Sequence, residues 1–302
     1  MPMMRDTMGR RALLSARERR GGAGLALLAL KLGFFMLSLL AVLPFAWMAL
    51  ASLRPSDEVF RFPAALLPET WDFSPYQAAL ARLPFWRCLG NSALAASLTV
   101  AGQLLLSSLA GYSLSKLKPA GSKALFFLML STLLIPFESV AIPLYLQMRA
   151  FPLGASRLPH LNLLSSYWGL VLPSVASAFS IYVLKSFFDR IPADLLNAAR
   201  LDGASEWRIF ATLALPLARP VLAILAVFAF LGAWNGFFWP LIVLNDPQSY
   251  TLMLGVQKLI ENGEPWNVVM AAATLTTLPS VLLFLLLQRF ITRGVAFMGI
   301  QG

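Results

Sequence analysis

Apolar residues in this chain come in long runs, not in the strict alternation of a half-buried strand. The runs fall at 32–53, 89–113, 124–148, 167–185, 217–244 and 268–289, each close to the ~20 residues that cross ~30 Å of hydrocarbon as a helix. They contain Gly, Pro, Ser and Thr, which interrupt a soluble helix but are tolerated in a membrane where neighbouring helices re-satisfy the backbone. A membrane barrel would show shorter alternating segments instead. The pattern predicts an all-α, polytopic membrane protein of six transmembrane helices.

Two of the connections between runs are large enough to have structure of their own. The segment 54–88 carries several prolines and reads as a packed outer cap of turns with one short helix around Tyr76–Leu83. The segment 190–216 is polar. In "IPADLLNAARLDG", Pro192 stands at a helix start and Asp194 in the first turn, where a carboxylate favours the helix dipole. Gly203 then stops the helix as a C-cap. Ser205 can cap a second helix carrying Trp207, Phe210, Ala211 and Ala214, before Leu215-Pro216 turns the chain into the fifth run. Two short helices meeting at a bend of small residues make a knob that suits a groove on another protein. The competing reading is an interfacial helix lying on lipid. It fits less well, because few large apolar residues share a face and the acidic groups would repel anionic headgroups.

Composition agrees with the pattern. The chain is 58% hydrophobic and 13% charged, with mean hydropathy +0.72, whereas soluble domains carry roughly a quarter charged residues. Charge sets the orientation. Most of the 24 Lys and Arg lie in the tail 1–31, after the second and fourth runs, and in the tail 291–302. The expectation is therefore a six-span transmembrane body over 32–290 with both termini, and the 190–216 loop, in the cytoplasm. The formal net charge of +10 invites a nucleic-acid reading, but the run "RRALLSARERR" (Arg10–Arg20) is better read as a topology signal beside anionic lipid. Paired arginines before an apolar run also resemble an export signal. The first run is too long for one and lacks a cleavage site, so an uncleaved first helix is expected.

Several chemistries are excluded by residue count. Cys88 is the single cysteine, so no internal disulfide can form. His160 is the single histidine, which rules out histidine-rich metal sites and histidine relay pairs. No GxxxxGK[ST] phosphate loop occurs. No cofactor, metal or catalytic site is expected.

The stretch "NAARLDGASEWRIFATLALPLARP" (Asn197–Pro220) resembles the EAA signature of ABC-importer permeases. Ala198, Ala199, Asp202, Gly203, Ala204, Ser205, Leu215 and Pro216 match that signature. Asn197 replaces its leading Glu, and Leu213 stands where Ile is usual. The segments "FWRCLGNS" (Phe85–Ser92), "IPFESVAIPLYL" (Ile135–Leu146), "GAWNGFFWPLIVLND" (Gly232–Asp246), "YTLMLGV" (Tyr250–Val256) and "QRFITRG" (Gln288–Gly294) are similar to the carbohydrate-uptake branch, in its second permease subunit. The end, "GVAFMGIQG", has Gln301 where that family has Lys. The resemblance implies the type I importer permease fold in a bacterial inner membrane. It also implies a second permease subunit, ABC ATPase subunits docked on the 190–216 loop, and an extracytoplasmic solute-binding protein. The solute would be a sugar or related polyol, with sn-glycerol-3-phosphate as one candidate.

Four residues are candidates for the solute pathway. Glu138 lies between Pro136 and Pro143 inside the third run, where a carboxylate costs several kcal/mol unless it is paired or faces water. It either lines a wet cavity or is satisfied by backbone N–H groups freed at a helix break. Trp234, Asn235 and Trp239, beside Pro240, offer stacking faces and an amide to a sugar; the alternative is an aromatic belt with a packing Asn. A stand-alone secondary carrier or channel is the rival function. It would want ionisable relay residues within the spans, and Glu138 is nearly the only one.

Overall fold

The structure is a computed structural model that describes residues 3–61, 67–152 and 160–299, with side chains of the first helix described from Leu27. The basic N-terminal side chains, the side chains of the tail 291–302 and the His160 side chain lie outside the described residues. In chain order the elements are α1 (Met3–Ala51), α2 (Ser74–Arg82), α3 (Phe85–Tyr112), α4 (Ser122–Ser131) and α5 (Phe137–Arg149), then a two-residue antiparallel bridge of β1 (Phe151–Pro152) with β2 (His160–Leu161). After it come α6 (Tyr167–Val171), α7 (Ala178–Asp189), α8 (Ala193–Leu201), α9 (Glu206–Ile209), α10 (Leu215–Leu217), α11 (Arg219–Trp234), α12 (Phe238–Val243), α13 (Leu252–Glu261) and α14 (Trp266–Gly299).

Among the described residues, three helices are long and apolar enough to cross a membrane unbroken: Leu27–Ala51, Phe85–Leu117 and Trp266–Leu286. Three further spans are bent pairs, which brings the total to six if each pair is one span. The third span bends by 107° between Ser122–Leu134 and Phe137–Arg149, the fourth by 44°, and the fifth meets Glu206–Leu217 at 76°. Proline is the physical cause at these breaks. Pro136, Pro173 and Pro220 each lack an N–H, so each leaves a carbonyl one turn earlier without its donor. The fifth apolar run, expected as one stretch over 217–244, is also interrupted: α11 stops at Trp234 and α12 restarts at Phe238.

α3 is the axle of the bundle, packing on α7 along one side and α11 along another. Small residues let it approach. A Cβ added at Gly111 would meet the Lys185 backbone nitrogen at 3.0 Å and Leu184 Cβ at 3.1 Å, so the two helices touch nearly backbone to backbone, as membrane helices do where van der Waals packing replaces the hydrophobic effect. At its N-terminal end α3 is pinned by polar bonds. Asn91 Nδ2 donates to the carbonyls of Gln248 and Tyr250 at 2.9 Å each, its Oδ1 accepts from Tyr167 at 2.7 Å, and Ser92 Oγ accepts from the Leu252 N–H at 2.8 Å. Bonds of this kind in membranes contribute about 0.6 kcal/mol each on average. Helix α2 is joined to the turn before α14 by the Arg82–Glu264 ion pair.

Candidate coupling loop and solute groove

The knob between the fourth and fifth spans is built by local chemistry. Pro192 caps α8, Asp194 stands in its first turn, and Asp202 closes it. Gly203 sits at φ +80°, the left-handed conformation that glycine adopts without a steric penalty. Its N–H donates to the Arg200 carbonyl and the Ala204 N–H to the Ala199 carbonyl, both at 3.0 Å, so the carbonyls at the end of α8 are satisfied. Ser205 Oγ accepts from the Arg208 N–H at 3.3 Å and starts α9. The helix then widens into a π-helical turn at Phe210–Ala214. Pro216, following at once, has no N–H to offer Thr212, and a widened turn accommodates that gap.

Leu196 and Ile209 are fully buried and anchor the knob to a cluster with Tyr112, Phe188, Phe210 and Leu225. On the other side it presents grease to its surroundings: Leu201 is 89% exposed and Trp207 is 64% exposed. A polar clamp holds the two helices at their angle. Arg200 Nε donates to Glu206 Oε1 at 2.6 Å and Arg200 Nη1 to Asn197 Oδ1 at 2.8 Å, while Tyr112 at the C-terminal end of α3 donates to Glu206 Oε2 at 3.1 Å. The hydrogen bond from Arg200 pulls the Glu206 carboxyl below its ordinary pKa, and the carboxylate in turn raises that of Arg200. Asn197, Ala198, Ala199, Asp202, Gly203, Ala204, Ser205, Leu215 and Pro216 therefore form one continuous unit.

A second feature runs along α3. A cavity of about 270 Å³ is bounded by Thr99, Ser174, Gly232, Trp239 and Thr251. A neighbouring one of about 330 Å³ adds Gln103, Ser177 and Phe228. They share Thr99, Ser174, Gly232 and Ala233 and so form one groove. Gln103 Nε2 donates to Ser180 Oγ at 2.7 Å across the α3–α7 contact.

The pathway candidates separate in this geometry. Trp239 lines the groove, its indole N–H donating to the Gly169 carbonyl at 3.0 Å and its ring edge-on to Phe137 at 5.7 Å. Asn235 is exposed in the break after α11. Trp234 turns away: it is 3% exposed, stacks on Phe230 at 5.2 Å and gives its N–H to the Thr276 carbonyl at 3.2 Å. Both faces and the donor are committed to packing. Glu138 is exposed in the first turn of α5 beside Phe137, which lines the groove. Among the described residues it has no hydrogen bond or ion pair, so its carboxylate does not serve the backbone at the break. Thr99, Gln103, Ser174 and Ser177 were not anticipated. The signal for two of them was the four-residue spacing of Thr99 and Gln103, which puts both on one face of an apolar helix.

Bent apolar helices able to span a membrane, a groove along one of them and a two-helix knob define a helical membrane protein by architecture. Residues 103–297 match the family described as binding-protein-dependent transport system inner membrane component, and the chain belongs to that family. It is 33% identical over 281 residues to the arabinooligosaccharides transport system permease protein AraQ of Halalkalibacterium halodurans, covering 90% of this chain and 96% of that one. It is 34% identical to the sn-glycerol-3-phosphate transport system permease protein UgpE of Pectobacterium atrosepticum, covering 81% and 87%. Among solved structures, a bacterial ABC transporter involved in the import of the acidic polysaccharide alginate matches with TM-score 0.72 and 26% identity, over 90% of this chain and 97% of that one. The chain is a permease subunit of an ABC importer that works with a solute-binding protein, a transport protein and not an enzyme.

The departure at Asn197 has a measurable consequence. Asn197 Oδ1 supports Arg200, the residue that ties α8 to α9. If the knob docks an ATPase subunit, Asn197→Leu should weaken that binding several-fold, the loss of about 1 kcal/mol of hydrogen bonding, and Asn197→Glu should bind at least as tightly as wild type. Affinity for the ATPase in detergent measures this. Equal binding by the Leu variant would show that the position contributes nothing.

Proposed function

We propose that this permease carries a sugar or related polyol, pairs with a second permease subunit, and docks ABC ATPase subunits through the knob at 190–216. The observation that carries the solute class is the groove. Its lining joins hydroxyl and amide groups (Thr99, Gln103, Ser174, Ser177) to aromatic surface (Trp239, Phe228) and includes no charged side chain among the described residues. Sugars need both kinds of surface, because their C–H faces are apolar while each hydroxyl wants a directional partner. The names of the relatives AraQ and UgpE, and of the alginate importer, fall in the same chemical range. Of these, a neutral saccharide suits the groove best, since Glu138 beside Phe137 places a negative charge near it. The excess of Lys and Arg on the side of the knob supports cytoplasmic termini, with the ATPase below and the binding protein delivering solute to the cap 54–88.

Cells expressing the chain with its partner subunits should take up a labelled neutral oligosaccharide, and unlabelled neutral oligosaccharides should compete far better than sn-glycerol-3-phosphate or alginate oligomers. Stronger competition by the anions would reverse the assignment of charge. Uptake that persists without any ATPase subunit would identify a secondary carrier instead.

A further inference from the structure

Beyond solute transport, we propose that the chain holds an anionic phospholipid of the inner leaflet in a basic cavity between the inner ends of the second, third and fourth spans. The cavity encloses about 740 Å³ and is bounded by Lys118, Lys123, Lys185, Asp189, Phe126 and Gly121. It shares no lining residue with the groove or with the 190–216 knob.

The charge balance is the first argument. Three ammonium groups face one carboxylate, and that carboxylate is already engaged: Asp189 accepts from Lys185 at 2.7 Å and from Ser115 at 2.6 Å. Lys118 and Lys123 are exposed and have no ion pair among the described residues. Two uncompensated cations held at a membrane surface attract an anion, and each lysine there contributes to lipid affinity.

The backbone supplies the second argument. Gly121 (φ +79°) and Lys118 (φ +46°) both adopt the left-handed conformation, which folds the connection back and brings Lys118 close to the start of α4. That ten-residue helix begins at Ser122 without a side-chain cap; the Ser122 N–H donates to the Pro119 carbonyl at 3.0 Å, which leaves the Lys123 and Ala124 N–H groups to be satisfied from outside. Lysine side chains and free N–H donors thus border the same opening.

An apolar surface beside the charge separates a lipid from a soluble anion. The cavity opens onto a greasy helix face: Leu125, Phe127 and Leu128 are 51%, 70% and 65% exposed. Phe126 stacks with Tyr182 at 6.2 Å and lies 4.8 Å beneath the Lys185 ammonium, which forms a floor that is apolar below and charged above. A phosphate with acyl chains satisfies both halves, whereas a free phosphate leaves the apolar half exposed. Basic cavities between spans on the cytoplasmic side bind lipid headgroups by this chemistry.

The inference rests on the cytoplasmic placement of this end and not on the identity of the solute. The test uses the assembled importer in detergent, titrated with phosphatidylglycerol or, in parallel, with inorganic phosphate, and reads retained lipid by native mass spectrometry together with thermal stability. Wild type should retain phosphatidylglycerol and be stabilised by it, and Lys118→Arg/Lys123→Arg should do the same. Lys118→Gln/Lys123→Gln should lose roughly fivefold in affinity per lysine, roughly thirtyfold in all, with unchanged assembly. Equal retention by the Gln pair overturns the proposal. Stabilisation of wild type by inorganic phosphate as strong as by the lipid overturns it in favour of a soluble-anion site. A Lys123→Cys variant that crosslinks to the second permease subunit overturns it by showing that protein, not lipid, covers the face.

Discussion

Gly203→Asp is expected to abolish both uptake and solute-stimulated ATP hydrolysis while the chain still inserts and assembles with its permease partner. The position combines a conformational demand with open space. Its φ of +80° lies where L side chains rarely go, yet a Cβ built there meets nothing within 4 Å. An L residue held in this conformation costs roughly 1–2 kcal/mol, which is small beside the 5–15 kcal/mol that typically holds a domain together. The chain should therefore tolerate the strain. What the Asp adds is bulk and charge on the outer surface of the knob, beside Leu201, which stands 89% exposed and needs an apolar partner. Gly203→Ala carries the strain with little bulk and should retain most activity. Uptake and hydrolysis in proteoliposomes, with membrane insertion checked by protease protection, separate these outcomes. Wild-type transport by the Asp variant would remove the knob from the docking interface.

How much of this could be read from the residues depends on whether the cause is local. The spans were legible because each is a run of apolar residues, and hydrocarbon leaves an unpaired backbone no alternative to the helix. The knob was legible for a related reason: Pro192, Asp194, Gly203 and Ser205 act within one turn of themselves. The bends were not. Pro136 and Pro173 look alike in the chain, yet one break is 107° and the other 44°, because the angle depends on what packs against each half. Long-range pairings were equally hidden. Asn91 meets the carbonyl of Tyr250, which joins "FWRCLGNS" to "YTLMLGV", two segments recognised separately with no hint that they touch. Trp234 and Trp239 were treated as one aromatic group. The break between α11 and α12 sends the first into the core and the second to the groove, and nothing in their spacing marks that break. The groove itself comes from α3, α7, α11 and the turn at Ser174, elements that only the fold brings together.

Glu206→Ala is expected to leave ATP hydrolysis running while uptake falls, so that solute moved per ATP drops by roughly tenfold, within the ordinary range of coupling free energies. Glu206 is the joint between two parts of the machine. One oxygen accepts from Arg200 on α8 at 2.6 Å, and the other accepts from Tyr112 at 3.1 Å. Tyr112 ends α3, whose Gln103 and Thr99 line the groove. At ~1.5 Å per residue those side chains stand roughly 14–20 Å along the same rod. A displacement of the knob would thus reach the groove through this carboxylate, alongside the packing of Tyr112 on Phe210 (ring centroids 5.2 Å). The ion pair itself is partly exposed, with side-chain accessibilities of 38% and 42%, and exposed pairs contribute ~0–1 kcal/mol to stability. Its loss should not unfold the chain, and thermal stability should change little. Tyr112→Phe cuts only the bond to α3 and leaves the Arg200 pair in place. If it reproduces the uncoupling, transmission runs through α3. If Tyr112→Phe transports like wild type while Glu206→Ala does not, the carboxylate acts by fixing the angle between α8 and α9. Normal coupling in both variants would mean that the clamp shapes the knob without transmitting its motion.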